Sequence, residues 1–420
     1  VAFEKMNKDK DPFKRPFDSL ENLVDKIRDV LECPVTIEDA NHRLLAYSTH
    51  DDQTDAARIA TIISRKVPEK VINSLWKANA IPQLMKNGEP LKIPEIKEIG
   101  LGNRVAISIR NQNEVLGYIW VVERDKSLSE DEMNLLKLAA KSARTELLKL
   151  NRQKKKREES YQDFFWQLLT GRYPNHEEIV DKMEDLHIQP PSSFAVIVFR
   201  FADDIDLQTE QSIIYLISTS QKLHVTFHTA MGTEFIILAS PSEAKATEKN
   251  IIEFIHYFIG QMNTRFQVNQ IIGASSALSD VLEHVEERYA ESLEVLRLKS
   301  QFPDEMEGIQ TYNQLGLFRY FESILEKKQN DEYKYPVITK LQKYDHEHKT
   351  DLLNTIECFL DYDSNVNETA KKLHIHVNTL NYRLKRISDI AELDLKSAHE
   401  KFSLYMELKI RKYMYRKHRL

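Results

Sequence analysis

The sequence predicts a multidomain α+β chain, with strands and helices mixed in its front and middle and an all-helical end. Three observations carry this. Apolar runs of strand length fall in two groups, one ending near Val122 and one lying between Phe194 and Ala274. The stretch from Ser129 to Leu169 between them has no glycine or proline and reads as one long helix. The end of the chain, Asn365 to Ile387, reads as two short amphipathic helices joined by a tight turn. A chain of 420 residues allows roughly two to four domains, and 41% hydrophobic residues suffice for ordinary cores.

In the front part, Leu20 to Leu31 has helical periodicity. Pro34 to Ile37 and Leu44 to Tyr47 form a hairpin about Asp39-Ala40-Asn41. Helices are expected at Arg58 to Ile63 and Lys70 to Trp76. Arg104 to Ile109 and Val115 to Val122 then pair around the polar turn Asn111-Gln112-Asn113. Strand, strand, helices, strand, strand, long helix is the order of a GAF- or PAS-like sensor, assigned to residues 1–128. Such a domain buries a small ligand between its sheet and the helical crossover. Tyr47, Trp76, Arg104 and Trp120 are side chains that could line a pocket, but each is better read as a core or surface residue, so the effector-binding residues stay unassigned.

The long helix, residues 129–170, sets Leu135, Leu138, Leu147 and Leu150 among charges. It is read as a linker that pairs two copies into a homodimer, with a higher homo-oligomer as the alternative. Its basic run LNRQKKKREE is read as a solvated face rather than a nucleic-acid patch.

Residues 171–320 open on Gly171 and Pro174, with a helix before Pro190-Pro191. A strand (Phe194 to Phe201), a helix (Gln211 to Gln221), a hairpin (His224 to Thr229 with Glu234 to Ala239), a helix (Lys245 to Asn263), a strand (Gln270 to Ala274) and a helix (Val281 to Leu298) follow. This order resembles a GGDEF-like domain, a fold whose active members are nucleotide cyclases. Cyclase chemistry needs carboxylates that hold Mg²⁺ against a triphosphate. Here the hairpin reads Met231-Gly232-Thr233-Glu234-Phe235, and the first strand ends Val198-Phe199-Arg200-Phe201 with Asp203 and Asp204 only beyond it. The expectation is therefore a degenerate, non-enzymatic domain without catalytic residues. A nucleotide or cyclic-dinucleotide binding or processing role for it is the alternative.

Residues 321–420 end in two short amphipathic helices joined by a tight turn. Asn365 can cap the first, and Glu368 stands at capping-box spacing. Val366, Ala370 and Leu373 make one narrow apolar stripe, in which alanine suits a close helix crossing. After His374-Ile375-His376, the second helix buries Val377, Leu380, Leu384 and Ile387. Its other face carries amides, hydroxyls and cations, the chemistry that reads base edges and holds phosphates in a major groove. This is the sequence form of a DNA-binding helix-turn-helix. His376, Asn378, Asn381 and Arg383 are assigned to base edges, and Thr379, Tyr382 and Arg386 to phosphate.

The plain alternative is a basic helical hairpin inside a larger core. Charge favours DNA. Residues 365–420 hold thirteen Lys and Arg against six Asp and Glu, in a chain of net charge −6. In the last helix Lys409, Arg411, Lys412, Arg416, Lys417 and Arg419 cluster without an acid among them and are read as further phosphate contacts.

The stretch from Lys343 to Leu395 resembles the C-terminal domain of the PucR/CdaR family of bacterial transcriptional regulators. The resemblance rests on Asp351-Leu352-Leu353 with Thr355, Thr369-Ala370, Leu373, His376-x-Asn378-Thr379-Leu380 and Tyr382-Arg383-Leu384. One departure is His374, where many such turns use glycine; histidine tolerates positive φ better than most. The resemblance implies an activator of a catabolic operon for purines and ureides, amino acids such as proline or alanine, or sugar acids. An amino-acid effector, operator DNA and RNA polymerase are the implied partners.

Only Cys33 and Cys358 are present, which excludes a disulfide framework or a paired zinc site and suits a reducing compartment. Gly100-Leu101-Gly102 lacks the third glycine of a dinucleotide fingerprint. His346-Glu347-His348 has the wrong spacing for two ligands on one helical face. Cofactors and metals are not expected. The charged front end lacks the apolar run of a signal peptide, and no stretch has the length of a spanning helix. A soluble cytoplasmic protein without membrane contact is expected.

Overall fold

The structure, a computed structural model, describes residues 11–14, 17, 19–48, 55–112, 114–123, 126–173, 175–241, 247–303, 305–329 and 335–417, with the side chains of 151–159 and 415–417 excepted. Asn113, Pro174, Lys245 and Arg419 of the sequence reading lie outside the described residues, as do the side chains of the LNRQKKKREE run beyond Leu150 and of Arg416 and Lys417. The chain is mixed α+β and divides into two compact units, Val1–Leu293 and Glu294–Leu420.

The first unit begins with α1 (Leu20–Leu31), whose amide of Asn22 donates to the capping Ser19 hydroxyl. Two strands, β1 (Val35–Asp39) and β2 (Leu44–Tyr47), then form the expected hairpin. Helices α2 (Ala56–Ser64), α3 (Glu69–Lys77) and α4 (Ala80–Lys86) follow. After them come β3 (Leu91–Ile93), β4 (Arg104–Asn111) and β5 (Glu114–Val122). The antiparallel sheet has the order β2-β1-β5-β4-β3. Its β3 lies within the stretch Pro90 to Pro94. It is a three-residue edge strand flanked by prolines, where a missing amide donor costs no ladder bond.

Alternation along the strands sends two different sets of side chains to the two faces. Val35, Ile37, Val105, Ile107, Ile109, Ile119 and Val121 pack with α1 and with α5 (Glu130–Leu169). Thr36, Glu38, Arg104, Ser108, Tyr118 and Trp120 alternate with them, and these too are buried. Both faces of the sheet are thus covered.

The 40-residue helix α5 is roughly 60 Å long at 1.5 Å per residue. It starts in a complete capping box, Ser129 with Glu132. Leu147 is buried against the first sheet and Leu135 and Leu138 pack partly on it, so of the expected seam Leu150 is the exposed one, at 43%. Farther along, Phe165 stacks on Phe227 at 5.4 Å, tying the end of α5 to the second sheet.

That sheet follows α6 (His176–Asp185) and comprises β6 (Ala195–Arg200), β7 (Leu223–Met231), β8 (Glu234–Pro241) and β9 (Ile272–Ser275), with α7 (Leu207–Thr219) and α8 (Glu248–Phe266) between strands. Its order is β7-β8-β6-β9, antiparallel throughout. Phe199, Phe254 and Phe258 pack its core, with the Phe199 and Phe258 ring centroids 4.0 Å apart. The unit boundary falls within α9 (Val285–Gln301).

The second unit is helical: α10 (Phe321–Gln329), α11 (Pro336–His348), α12 (Leu352–Asp361), α13 (Val366–Lys372), α14 (Val377–Ala391) and α15 (Ala398–Lys417). Leu341, Ile356, Leu380, Ile387 and Leu404 are fully buried at its centre. Among the described residues no helix is long and apolar enough to cross a membrane.

Candidate nucleic-acid interface

Helices α13 and α14 are the hairpin expected from sequence, and each terminus has a physical cause. Asn365 Oδ1 accepts from the amides of Asn367 and Glu368 at 3.0 and 3.2 Å and so caps α13. The expected capping box is only half made, because the Asn365 amide donates to Tyr362 O instead of the Glu368 carboxylate. The helix ends in a Schellman arrangement: Ile375 N donates to Ala370 O and His374 N to Lys371 O. His374 takes φ +53° in it, the left-handed position glycine usually fills.

Packing sets which face of α14 stays free. Ala370 is 3% exposed, Leu380 and Ile387 are fully buried, and α14 lies against α11, α12 and α13. Asn378, Thr379, Asn381, Tyr382, Lys385 and Arg386 all remain exposed, with Tyr382 at 72%. A tyrosine so exposed adds nothing to the core, yet offers a phenol to a partner.

The remaining two assigned residues have partners inside the unit. His376 caps α14, its Nδ1 accepting from Asn378 N at 3.2 Å, so the neutral ring carries its proton on Nε2 as an outward donor. Arg383 is half-buried and donates to Thr355 Oγ1 at 3.1 Å; that hydroxyl in turn donates to Asp351 O. Arg386 donates from Nε to the Tyr344 hydroxyl at 3.0 Å and lies over the same ring, an arrangement that raises its pKa. Tyr344 is itself stacked on His348. These supports were missed in the sequence because they join α14 to α11 and α12 across long separations.

A second missed residue is Asp345. Its carboxylate accepts from the amides of Leu352 and Leu353 at 2.8 and 2.9 Å, capping α12 from the preceding helix, while Asp351 makes no side-chain cap.

Comparison with known proteins then decides the family. The model of the PucR C-terminal helix-turn-helix domain matches residues 352–410. The DNA-binding transcriptional activator AdeR of Bacillus subtilis (strain 168) is 43% identical over 96% of this chain and 95% of its own length. The proline-responsive transcriptional activator PutR of the same organism is 30% identical over 94% of this chain and 97% of its own. The chain belongs to the PucR family of transcriptional regulators.

In this PucR-family protein the last helix departs from the sequence reading. Lys409 is 5% exposed and pairs with Asp361 at 2.7 Å, and Lys412 pairs with Glu357 at 2.5 Å. The acids missing from this basic run come from α12. Lys409 is thus withdrawn into the unit, while Lys412 keeps part of its side chain exposed and Arg411 stays exposed. In the first unit, Glu234 accepts from Arg200 Nε and Nη2 at 3.0 and 2.7 Å, so the one acid kept in the Met231 to Phe235 hairpin is held by an arginine.

Proposed function

We propose that this PucR-family protein is an effector-responsive activator that binds operator DNA through α14 as a homodimer. The carrying observation is the exposed face of Asn378, Thr379, Asn381, Tyr382, Lys385 and Arg386 on a helix fixed by three others. Amides there suit adenine edges, and the hydroxyls and cations suit phosphates. His376 and Arg383 complete the base-reading set, with Thr379, Tyr382 and Arg386 on the backbone.

The sheet order β2-β1-β5-β4-β3 supports a GAF- or PAS-like sensor over residues 1–128. The order β7-β8-β6-β9 supports a GGDEF-like domain over 171–320, with α5 as the linker of 129–170 and the DNA-binding domain in 321–420. Exposed Leu150 supports pairing of two copies along α5. The relative PutR is named as proline-responsive and AdeR as an activator, which supports an amino-acid effector and an activating contact with RNA polymerase.

The test is fluorescence anisotropy of the full chain on labelled duplex from its own upstream region, at about 150 mM salt, where non-specific phosphate binding is weak. Binding that survives excess scrambled duplex and shifts with an amino-acid mixture is the expected result. Binding that the scrambled duplex abolishes refutes operator recognition.

A further inference from the structure

The face of the first sheet beneath α3 and α4 is buried yet polar. Glu38, Arg104 and Trp120 are 4%, 7% and 3% exposed, and His42 and Tyr118 are fully enclosed. A structural core has no use for such a set. The chain also holds it under strain: His42 has φ +58°, and the β1–β2 register shifts between Ile37 and Glu38. Gly117 permits the approach, since a Cβ there would meet Glu38 O at 2.2 Å.

The bonds inside this set are specific. Glu38 Oε2 accepts from Trp120 Nε1 at 2.9 Å and faces His42 Nδ1 at 3.1 Å. A carboxylate oxygen beside Nδ1 places the imidazole proton there, which leaves Nε2 as an acceptor. Nε2 has no partner among the described residues, and neither has the Tyr118 hydroxyl. The two rings lie face to face, 4.9 Å between centroids and 6° between planes. Burial raises the Tyr118 pKa well above its ordinary value, so its proton is retained for donation. One enclosed acceptor and one enclosed donor are thus unanswered by protein, where each orphan costs about 1 to 3 kcal/mol.

Charge narrows what answers them. Arg58, 3% exposed, donates to Ser48 O and Oγ, and Arg104 pairs with Asp55 at 2.6 Å. With Glu38, and with Arg110 and Asp39 that also act on Tyr118, these charges sum to zero. A cation or an anion entering alone leaves an unbalanced buried charge; a zwitterion does not.

We propose that His42 Nε2 and the Tyr118 hydroxyl are the contact atoms of the effector site, and that the effector is an α-amino acid bound as its zwitterion. The inference rests on the amino-acid reading of the proposed function and adds the site to it. The ammonium donates to His42 Nε2, beside Glu38 and the faces of Tyr118 and Trp120. The carboxylate accepts from Tyr118 O–H, on which Arg110 is the cation that acts. Tyr215 of α7 meets the His42 ring edge-on at 5.7 Å and accepts from Trp76 Nε1 at 2.8 Å, so occupancy is felt at once on α3 and α7.

The test uses the full chain and each proteinogenic L-amino acid singly at millimolar concentration, first by thermal shift and then by calorimetry. Tyr118→Phe removes only the orphan hydroxyl. Its melting temperature without ligand is expected to hold or rise, while affinity for the responding amino acid falls roughly ten- to a hundredfold. The matching amine and the matching carboxylic acid, each lacking the other group, are expected to bind the wild type at least as weakly. If no amino acid binds the wild type, the effector reading falls and the site with it. If Tyr118→Phe is more stable but binds as the wild type does, the hydroxyl meets only buried water, and the site falls while the effector reading stands. Equal binding of amine or acid overturns the zwitterion. Should Tyr118→Phe fail to fold, tryptophan emission of the wild type decides: a saturating amino acid must change the Trp120 and Trp76 signal, and an unchanged spectrum overturns the site.

Discussion

Replacing Asn378 by alanine separates recognition from folding, because the structure gives this side chain nothing to do within the protein. Asn378 is exposed in the first turn of α14, and among the described residues no group bonds its side-chain amide. The capping bond uses its backbone N–H, donated to His376 Nδ1, which alanine retains. The substitution therefore changes stability by at most about 0.5 kcal/mol, with the better helix propensity of alanine pushing towards gain. A paired bond to an adenine edge is worth about 1 to 3 kcal/mol of discrimination. At 1.4 kcal/mol per tenfold, that is a loss of roughly 5- to 150-fold in affinity for the operator and little change on scrambled duplex. Anisotropy titrations of both duplexes, beside a thermal melt of the variant, measure all three quantities. Equal losses on the two duplexes would mean that Asn378 serves affinity without reading sequence. An unchanged operator affinity would mean that another face of α14 enters the groove, and the assignment of Asn381 would fall too.

Arg386→Ala is expected to weaken operator and scrambled duplex alike and to flatten the dependence of log affinity on log salt by about one unit; an unchanged slope would remove Arg386 from the phosphate set. Leu380→Asp puts a carboxylate at a fully buried position and should lose at least about 4 kcal/mol, seen as early melting of the helical unit by circular dichroism; a native-like melt would contradict the packing of α14. Glu132 is held at a pKa of about 2, against 4.5 ordinarily, chiefly by its bond from Lys126 and then by the Ser129 amide. A depressed carboxyl stabilises above its unfolded pKa and loses that contribution as pH falls through the folded one, so Glu132→Gln should lower the midpoint at neutral pH and remove part of the stability slope between about 4.5 and 2. A variant with the wild-type slope would assign the slope to other carboxyls.

Much of this fold was legible because its elements obey one period each. The stripe Val366, Ala370, Leu373 and the set Leu380, Leu384, Ile387 gave the helical hairpin its buried faces, and α5 and the three β-hairpins sit within a few residues of where alternation and turn residues put them. What escaped the sequence is non-local. Nothing near Lys409 or Lys412 announces Asp361 and Glu357, so two lysines paired to α12 read as phosphate contacts. Arg383 and Arg386 read as free cations until Thr355 and Tyr344 arrived from other helices. The polar sheet face lay in plain view as Thr36 and Glu38 alternating with Val35 and Ile37, and as Tyr118 and Trp120 with Ile119 and Val121. Alternation ordinarily marks a solvated face; only the covering helices show that this one is enclosed.

An effector changes this protein's output only through a difference between two arrangements; a ligand bound equally by both shifts nothing. Moving an equilibrium from 1:99 to 99:1 takes about 5.5 kcal/mol of differential affinity. Two bonds to the charged ends of a zwitterion, at about 1.5 to 3 kcal/mol each, supply roughly 3 to 6 kcal/mol, enough for most of a switch if both exist in one arrangement and neither in the other. The first unit has the connection such a difference requires. Helix α3 is tied to α7 and α8 by Trp76 with Tyr215 and by Arg265 with Asn73 and the Trp76 ring, and to the turn after α7 by Glu69 accepting from Gln221 N. A ligand that repositions His42 or Tyr118 must either carry Tyr215 with it or break its edge contact with His42. Tyr215→Phe, which deletes the acceptor of Trp76 Nε1 and keeps the ring, should therefore leave amino-acid affinity largely intact while weakening its effect on DNA binding.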